Sequence, residues 1–251
     1  MKKFRGLTGK IHIAGGTAHI PVMSEAVKRI NTANPDIRIT IAGGGSGVGV
    51  KKLGEGLVEI GNTGRALTAR EMETHGLVTF PFALDGVAII VHPSNPVAAL
   101  TSEQMKKLYA GEVGNWKEVG GPDGAVHLFM RDEASGTREV FWEVLLGKGP
   151  IAPAANVVAS NGAMTVAVGR DPLAIGYTSL GHVDDTVKVV AIDGQAPTHE
   201  NALSGKYRVT RKLYMNTKGA PSGLVQTFID YIRGPEGAAI VRDAGFIPVK
   251  D

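Results

Sequence analysis

One kind of loop recurs three times along the chain, and this recurrence constrains the fold more than any other feature of the sequence. In each copy a short apolar run ends in residues rich in Gly, Ser or Thr, and a stretch with helical patterning follows. The runs and their loops span 11–18, 37–47 and 126–137. Such alternation of strand, loop and helix predicts parallel α/β architecture. The first N–H groups of a helix lack internal partners and carry the positive end of its dipole, so these loops suit an anion.

The third loop contains an arginine, and this residue is the sharpest indication of an oxyanion. Arg131 follows the apolar run, and hydroxyl and N–H donors at 135–137 lie on the same loop. A guanidinium can bind two oxygens of an oxyanion at once. Two other interpretations stay open: a surface salt bridge of Arg131 with Asp132 or Glu133, and a role for Glu133 in fixing the guanidinium.

Composition excludes several classes of protein. The chain has 251 residues, enough for one large domain or two lobes, and a formal net charge of +3. It has no cysteine, which excludes disulfides, thiolate metal sites and a cysteine nucleophile. The densest basic group, at 206–212, is interpreted as a solvated strand face, and the chain has only five Tyr and seven Phe. We therefore expect no nucleic-acid partner.

No membrane-spanning segment or signal peptide is expected. No apolar run approaches the ~18 residues that a span needs, and no apolar stretch follows the basic residues at 1–5. The chain is then either a cytosolic protein or a mature form whose signal has been removed.

Catalytic motifs are missing, so we predict neither catalytic residues nor a metal or cofactor site. Val48 breaks the frame of a nucleophile elbow around Ser46. The seven histidines form no pair with metal-ligand spacing, and each is expected on a strand or at the surface. Asp85-Gly86 interrupts the apolar run at 80–92 and is either a turn, which composition favours, or a placed functional carboxylate.

Six motifs occur in a fixed order and carry a resemblance to a known family. They lie at 15–18, 43–47, 60–65, 83–86, 114–121 and 131–137. Together they resemble the phosphate-binding proteins of bacterial ABC-type phosphate uptake systems, the PstS family. The resemblance extends over nearly the whole chain, from about Lys10 to Pro248.

The resemblance implies an α/β fold of the type II periplasmic-binding-protein class. This fold has two α/β lobes joined by two crossover strands, with a ligand cleft between them. Lobe 1 would be discontinuous and comprise 10–85 and 210–251, and lobe 2 would comprise 86–209. The crossings would lie near Asp85-Gly86 and near 207–212.

The resemblance also implies a function and a set of site residues. A protein of this kind binds inorganic phosphate and delivers it to the membrane permease of an ABC phosphate importer, is periplasmic or otherwise extracytoplasmic, and is not an enzyme. Lobe 1 would supply Thr17, Ala18 and Ser46, and lobe 2 would supply the third loop. The expected phosphate-binding residues are Thr17, Ala18, Ser46, Arg131, Ser135, Gly136 and Thr137, and the further candidates are Gly16, Gly45, Arg65 and Asp85.

Two departures from the family pattern concern ligand selectivity. Gly16 stands where many members have Ser, and Gly64 stands where some relatives carry Asp. A carboxylate can accept a proton from phosphate, whereas it repels sulfate. We therefore hypothesise that Asp85 is the substitute acceptor, with Arg65 as its partner or as an additional ligand.

Three alternatives stay open for the function of the protein: a binding protein for sulfate or molybdate, a phosphate-ester hydrolase using the same loops, and a phosphate sensor or adhesion protein.

Overall fold

The computed structural model describes residues 1–249 and divides the chain into two compact units. Unit 1 comprises residues 1–84, 134–136 and the chain from Lys212 onward, and unit 2 comprises 85–133 and 137–211. The short segment 134–136, which the resemblance assigns to the second lobe, groups with unit 1.

Unit 1 is built on parallel strands covered by helices. Strand β1 pairs in parallel with β2 and β3, β3 pairs with β10 in antiparallel fashion, and β11 pairs with β4 likewise. The strands of this unit are β1 (Gly9–Gly15), β2 (Ile37–Gly44), β3 (Ile60–Thr63), the first part of β4 (Leu77–Val91), most of β10 (Thr210–Lys218) and β11 (Ile247–Pro248). The helices are α1 (Ile20–Ala33), α2 (Ser46–Gly54), α3 (Ala69–His75), α8 (Gly223–Arg233) and α9 (Pro235–Asp243).

Unit 2 combines antiparallel and parallel pairing. Strand β8 pairs with β4 in antiparallel fashion and with β6 in parallel, and β6 pairs in parallel with β7. Strand β9 pairs with β4 and β5. The further strands are β5 (Ala99–Leu100), β6 (His127–Arg131), β7 (Asn156–Val158), β8 (Ala174–Ser179) and β9 (Lys188–Ile192). The helices are α4 (Ser102–Ala110), α5 (Gly136–Val140), α6 (Asn161–Gly169) and α7 (His199–Leu203), and a π-helix (Phe141–Leu145) continues α5.

Local sequence signals explain several of these elements. Pro21 lies in the first turn of α1, where its missing N–H costs nothing, and Ile30 faces the core of unit 1. A capping box opens α4: Gln104 N donates to Thr101 Oγ1 at 3.1 Å, and Thr101 N donates to Gln104 Oε1 at 2.8 Å.

Each unit has its own hydrophobic core, so each can hold its loops in place. Apolar residues of β1, α1 and α8, such as Ile13, Val22 and Phe228, form the core of unit 1. Aromatic packing dominates unit 2, where the ring of Phe141 stacks on Tyr177 with centroids 3.9 Å apart. The π-helix that carries Phe141 directly follows α5.

Two sequence predictions about this fold are wrong. Asp85-Gly86 is not a turn, because both residues lie inside the continuous 15-residue strand β4. Strand β10 begins only at Thr210, so the basic group at 206–212 does not form one strand face. Within residues 1–249, no helix is long and apolar enough to cross a membrane.

Candidate functional site

The first two loops follow neighbouring parallel strands in unit 1 and are hydrogen-bonded to each other. Gly15 pairs with Gly44 and with Asn62, so β1, β2 and β3 end side by side. Gly45 N donates to Gly15 O at 3.0 Å, and Gly16 N donates to Asn62 O at 2.9 Å. Because the carboxyl ends of parallel strands share one edge of a sheet, the two loops and their helix N-termini lie together.

Ser46 opens α2 and is buried among these loops. Its Oγ accepts a hydrogen bond from Gly64 N at 3.0 Å. A hydroxyl that accepts one bond still has a hydrogen to donate, so Ser46 can bind an anion while Gly64 holds its side chain in place. Among residues 1–249, no side chain caps the helical segments that follow Gly16 and Gly45.

The segment 134–136 packs against the second loop within unit 1. Gly47 N donates to Ala134 O at 3.0 Å. Gly45 has a φ of 90°, and a Cβ added there would lie 2.6 Å from Ala134 O. A Cβ added to Gly136 would collide with Ser46 Oγ. Position 45 therefore requires glycine, and the close approach brings Gly136 to Ser46.

Two backbone donors of unit 1 remain available for a ligand. In the part of the chain that the structure describes, neither Ala18 N nor Gly136 N has a hydrogen-bond acceptor. Both residues are buried at the start of a helical segment, as is Thr17, which lies beside Gly43 of the second loop. A buried N–H group is rarely left without a partner, so these two donors indicate a bound group that accepts hydrogen bonds.

Arg131 ends β6 in unit 2 and is 1% exposed. Its Nε donates to Val158 O and its Nη2 donates to Ala159 O, each at 3.0 Å, while its backbone N–H donates to Tyr177 Oη. Burial lowers the pKa of the Arg131 guanidinium, and the nearby Asp132 carboxylate acts in the opposite direction. Neutral carbonyls orient a guanidinium without cancelling its charge, so Arg131 is a positioned, buried cation.

Glu133 does not fix this guanidinium, contrary to one interpretation of the sequence. The Glu133 side chain is exposed and forms no salt bridge within the described residues. The carbonyls of Val158 and Ala159 perform that role instead. Sequence reasoning could not find them, because a carbonyl oxygen leaves no residue-specific signal.

Thr137 is buried in unit 2, and its hydroxyl donates to Asn161 Oδ1 at a long 3.4 Å. The same oxygen accepts from Thr178 Oγ1 at 3.3 Å and from Ser179 N at 3.1 Å. Asn161 thus organises the surroundings of Thr137. The sequence analysis missed this residue, whose only signal is its place after Ser160, the N-cap of α6.

The hypothesis that Asp85 pairs with Arg65 is wrong. Asp85 Oδ2 accepts from Arg211 Nε at 2.9 Å and forms an ion pair with Arg211 Nη2 at 2.9 Å, and Asp85 Oδ1 accepts from Leu180 N at 3.2 Å. The Asp85 side chain is 0% exposed. Burial raises the pKa of Asp85 above its ordinary value, and the charge of Arg211 opposes that rise. Because both carboxylate oxygens accept hydrogen bonds from the protein, these contacts support a structural role for Asp85.

Arg65 is bound by a carboxylate of its own unit. Its Nη2 donates to Glu71 Oε1 at 2.6 Å and its Nη1 donates to Glu71 Oε2 at 2.8 Å. The hydrogen bond from Arg65 lowers the pKa of Glu71 to about 2. Glycines at two further candidate positions, Gly16 and Gly45, use their single N–H donors on Asn62 and Gly15. All four of these additional candidates are therefore engaged elsewhere.

His19 also differs from expectation, because it lies neither on a strand nor at the surface. It is 0% exposed, immediately follows Ala18, and sits in the 3-10 helix Thr17–His19. Its Nε2 lies 3.1 Å from Tyr214 O, and its ring packs on Phe82. These contacts anchor the first loop to β10. Among the described residues, no group of three or more His, Asp or Glu side chains is arranged to hold a metal ion.

Comparisons with known proteins show what this chain is similar to. Residues 6–236 match the model of the PBP superfamily domain. The phosphate-binding protein PstS of Bacillus subtilis is 33% identical over 97% of this chain and 82% of its own length.

Two solved structures are also similar. A protein from Clostridium perfringens, described as a phosphate ABC transporter substrate-binding protein and solved with bound phosphate, superposes with a TM-score of 0.91 at 36% identity. The match covers 96% of this chain and 100% of that one. An ABC-type phosphate transport receptor from Vibrio cholerae gives a TM-score of 0.76 at 32% identity, over 94% and 99% of the two chains.

These similarities confirm the predicted fold class, a periplasmic-binding-protein fold of two α/β units. They extend over nearly all of this chain and nearly all of the similar structures, so they do not depend on one shared motif. The chain belongs to the PBP superfamily and, within it, to the PstS family of phosphate-binding proteins.

Proposed function

We propose that this protein binds inorganic phosphate and delivers it to the membrane permease of an ABC-type phosphate importer. The proposed phosphate-binding residues in unit 1 are Thr17, Ala18, Ser46, Ser135 and Gly136, and those in unit 2 are Arg131 and Thr137. As a component of an importer, the protein acts outside the cytoplasm, and it acts by binding rather than by catalysis.

The observation that carries the proposal is the buried guanidinium of Arg131. Its charge is removed from water and oriented by two neutral carbonyls. A buried charge is costly unless an opposite charge or a set of dipoles compensates it. An oxyanion is a ligand of the right charge for this site, and its geometry matches the fork of a guanidinium.

The remaining donors are neutral, which suits a ligand with several oxygens. Ser46 can donate its hydroxyl hydrogen, and Ala18 and Gly136 present N–H groups that the described protein atoms leave without an acceptor. A tetrahedral oxyanion accepts many hydrogen bonds and can satisfy all of these donors. Hydroxyl oxygens can also accept a hydrogen bond from protonated phosphate, so this set functions without the carboxylate found at the Gly64 position of some relatives.

The proposal is tested by isothermal titration of phosphate into phosphate-free protein. We expect one site per chain, and we expect the Arg131→Ala variant to lose at least roughly a hundredfold in affinity, since two hydrogen bonds to a charged group are each worth about 1.5–3 kcal/mol. Arg70→Ala, which removes an exposed arginine of α3, is the control and should bind as the wild type does.

Binding of sulfate or molybdate in place of phosphate would contradict the proposal. Equal affinities of Arg131→Ala and Arg70→Ala for phosphate would show that Arg131 is not a ligand. Circular dichroism of both variants separates loss of a ligand contact from loss of the fold.

A further inference from the structure

A cavity of about 240 Å³ opens in unit 2, and none of its lining residues is a proposed phosphate ligand. Its walls come from α4, from the π-helix, from the turn after β9 and from the segment 206–209 that leads into β10. The volume lies below the ~300–1,000 Å³ typical of sites for drug-sized molecules, so an occupant must be small.

Three cationic side chains line this cavity: Lys106, Lys206 and Arg208. All three are exposed residues, and within residues 1–249 none of them forms a salt bridge. Lys206 and Arg208 belong to the basic group that the sequence analysis interpreted as a strand face. The structure instead buries Arg211 of that group against Asp85 and leaves the two earlier cations at the cavity.

One acidic residue of the lining, Asp193, is already bound by the protein. Asp193 and Gly194 have φ values of 49° and 75° and form the tight turn between Ile192 and Gln195. Asp193 Oδ1 accepts from Ser102 N at 2.8 Å, and Oδ2 accepts from Ser102 Oγ. These hydrogen bonds lower the pKa of Asp193. Three cations therefore face one engaged carboxylate, which leaves the cavity with an excess of positive charge.

The rest of the lining is largely apolar. Val144, Leu145, Ile192 and Val209 contribute hydrocarbon surface, and Val144 is 47% exposed. Inorganic phosphate has no apolar part and would leave this surface uncovered. A ligand with both a charged group and a short hydrocarbon body matches both parts of the lining.

We propose that this cavity is a second binding site, specific for a small organic anion with an apolar body, such as a short-chain carboxylate. The carboxylate lies among Lys106, Lys206 and Arg208, and the hydrocarbon chain covers Val144 and its apolar neighbours. The site is independent of the phosphate donors and goes beyond the proposed transport function.

The test uses the full chain, saturated with phosphate. Hexanoate is the probe for the cavity. Proton–nitrogen NMR correlation spectra are recorded during a hexanoate titration, with 1-hexanol and acetate as separate probes that each lack one half of the ligand. We expect saturable shifts of cavity amides, including those of Gly147, Asp193 and Val209, and weaker binding of both control probes. Lys206→Ala and Arg208→Ala should each weaken hexanoate about two- to five-fold, the range for an exposed ion pair.

Arg170→Ala, which removes an exposed arginine elsewhere in unit 2, should leave hexanoate binding unchanged. The proposal is overturned by the lack of saturable shifts at the cavity, by equal binding of hexanol and hexanoate, or by an equal effect of Arg170→Ala and Arg208→Ala. Phosphate affinity measured on the same samples shows whether the phosphate site is intact, so failure of one proposal is distinguished from failure of the other.

Discussion

Replacement of Asp85 by Asn tests whether this carboxylate stabilises the fold or binds phosphate. The structure places Asp85 in a buried ion pair, with Arg211 Nε and Nη2 each 2.9 Å from Oδ2 and side-chain exposures of 0% and 3%. Removal of one partner from such a pair typically costs about 3–5 kcal/mol, because the other charge is left buried and uncompensated. That loss is a large share of the roughly 5–15 kcal/mol that stabilises an ordinary protein.

Urea unfolding followed by tryptophan fluorescence measures this loss in the relevant unit. Both tryptophans, Trp116 and Trp142, lie in unit 2 together with the Asp85–Arg211 pair. With an m-value of about 3 kcal/mol/M, a loss of 3–5 kcal/mol lowers the midpoint by about 1–1.7 M. The control Asp185→Asn, at an exposed position of the same unit, should stay within about 0.5 kcal/mol of the wild type.

Two further measurements complete the test of this pair. The double variant Asp85→Asn/Arg211→Met should recover part of the lost stability, because no unpaired guanidinium remains. Phosphate and sulfate affinities of folded Asp85→Asn should match those of the wild type. An unchanged urea midpoint together with lost discrimination between phosphate and sulfate would refute the structural role and restore Asp85 as a ligand.

Three other substitutions probe unit 1. Ser46→Ala removes a hydroxyl that can donate to phosphate and that accepts a hydrogen bond from Gly64 N. Because the loss of such a hydrogen bond costs about 1–3 kcal/mol, phosphate affinity measured by calorimetry should fall about tenfold. Unchanged affinity would contradict the assignment of Ser46 as a phosphate ligand. Gly136→Ala places a Cβ against Ser46 and should weaken phosphate binding by a similar amount, whereas wild-type affinity would show that the segment can move without loss. Glu71→Gln should destabilise the protein by about 1 kcal/mol near neutral pH through loss of the pair with Arg65. The pKa of Glu71 is lowered from 4.5 to about 2, so the melting temperatures of the variant and the wild type should differ above pH 4.5 and converge as the pH falls through about 2. A difference that persists in acid would contradict the pairing of Glu71 with Arg65.

Short-range signals in the sequence predicted much of the fold. Pro21 and the Thr101 capping box mark helix starts through contacts within one turn. The recurring strand–loop–helix pattern likewise predicted the parallel strands β1, β2 and β3. Each of these signals depends on residues close to one another in the chain.

The features that sequence reasoning missed depend on distant partners. Asp85 and Arg211 are 126 positions apart, so no local pattern indicates their ion pair. The apolar run that Asp85 interrupts was therefore predicted to turn there, whereas it forms one continuous strand. The carbonyls that orient Arg131 come from 27 and 28 positions further along the chain. His19 is buried by contacts with Phe82 and Tyr214, and no local pattern indicates such burial.

A crystal structure of the protein grown with phosphate tests the central claim most directly. The account predicts one phosphate whose oxygens lie within hydrogen-bond distance, about 2.7–3.2 Å, of Ser46 Oγ, the Arg131 guanidinium and the N–H groups of Ala18 and Gly136. A phosphate bound elsewhere, with Arg131 and Ser46 both out of reach, would contradict it.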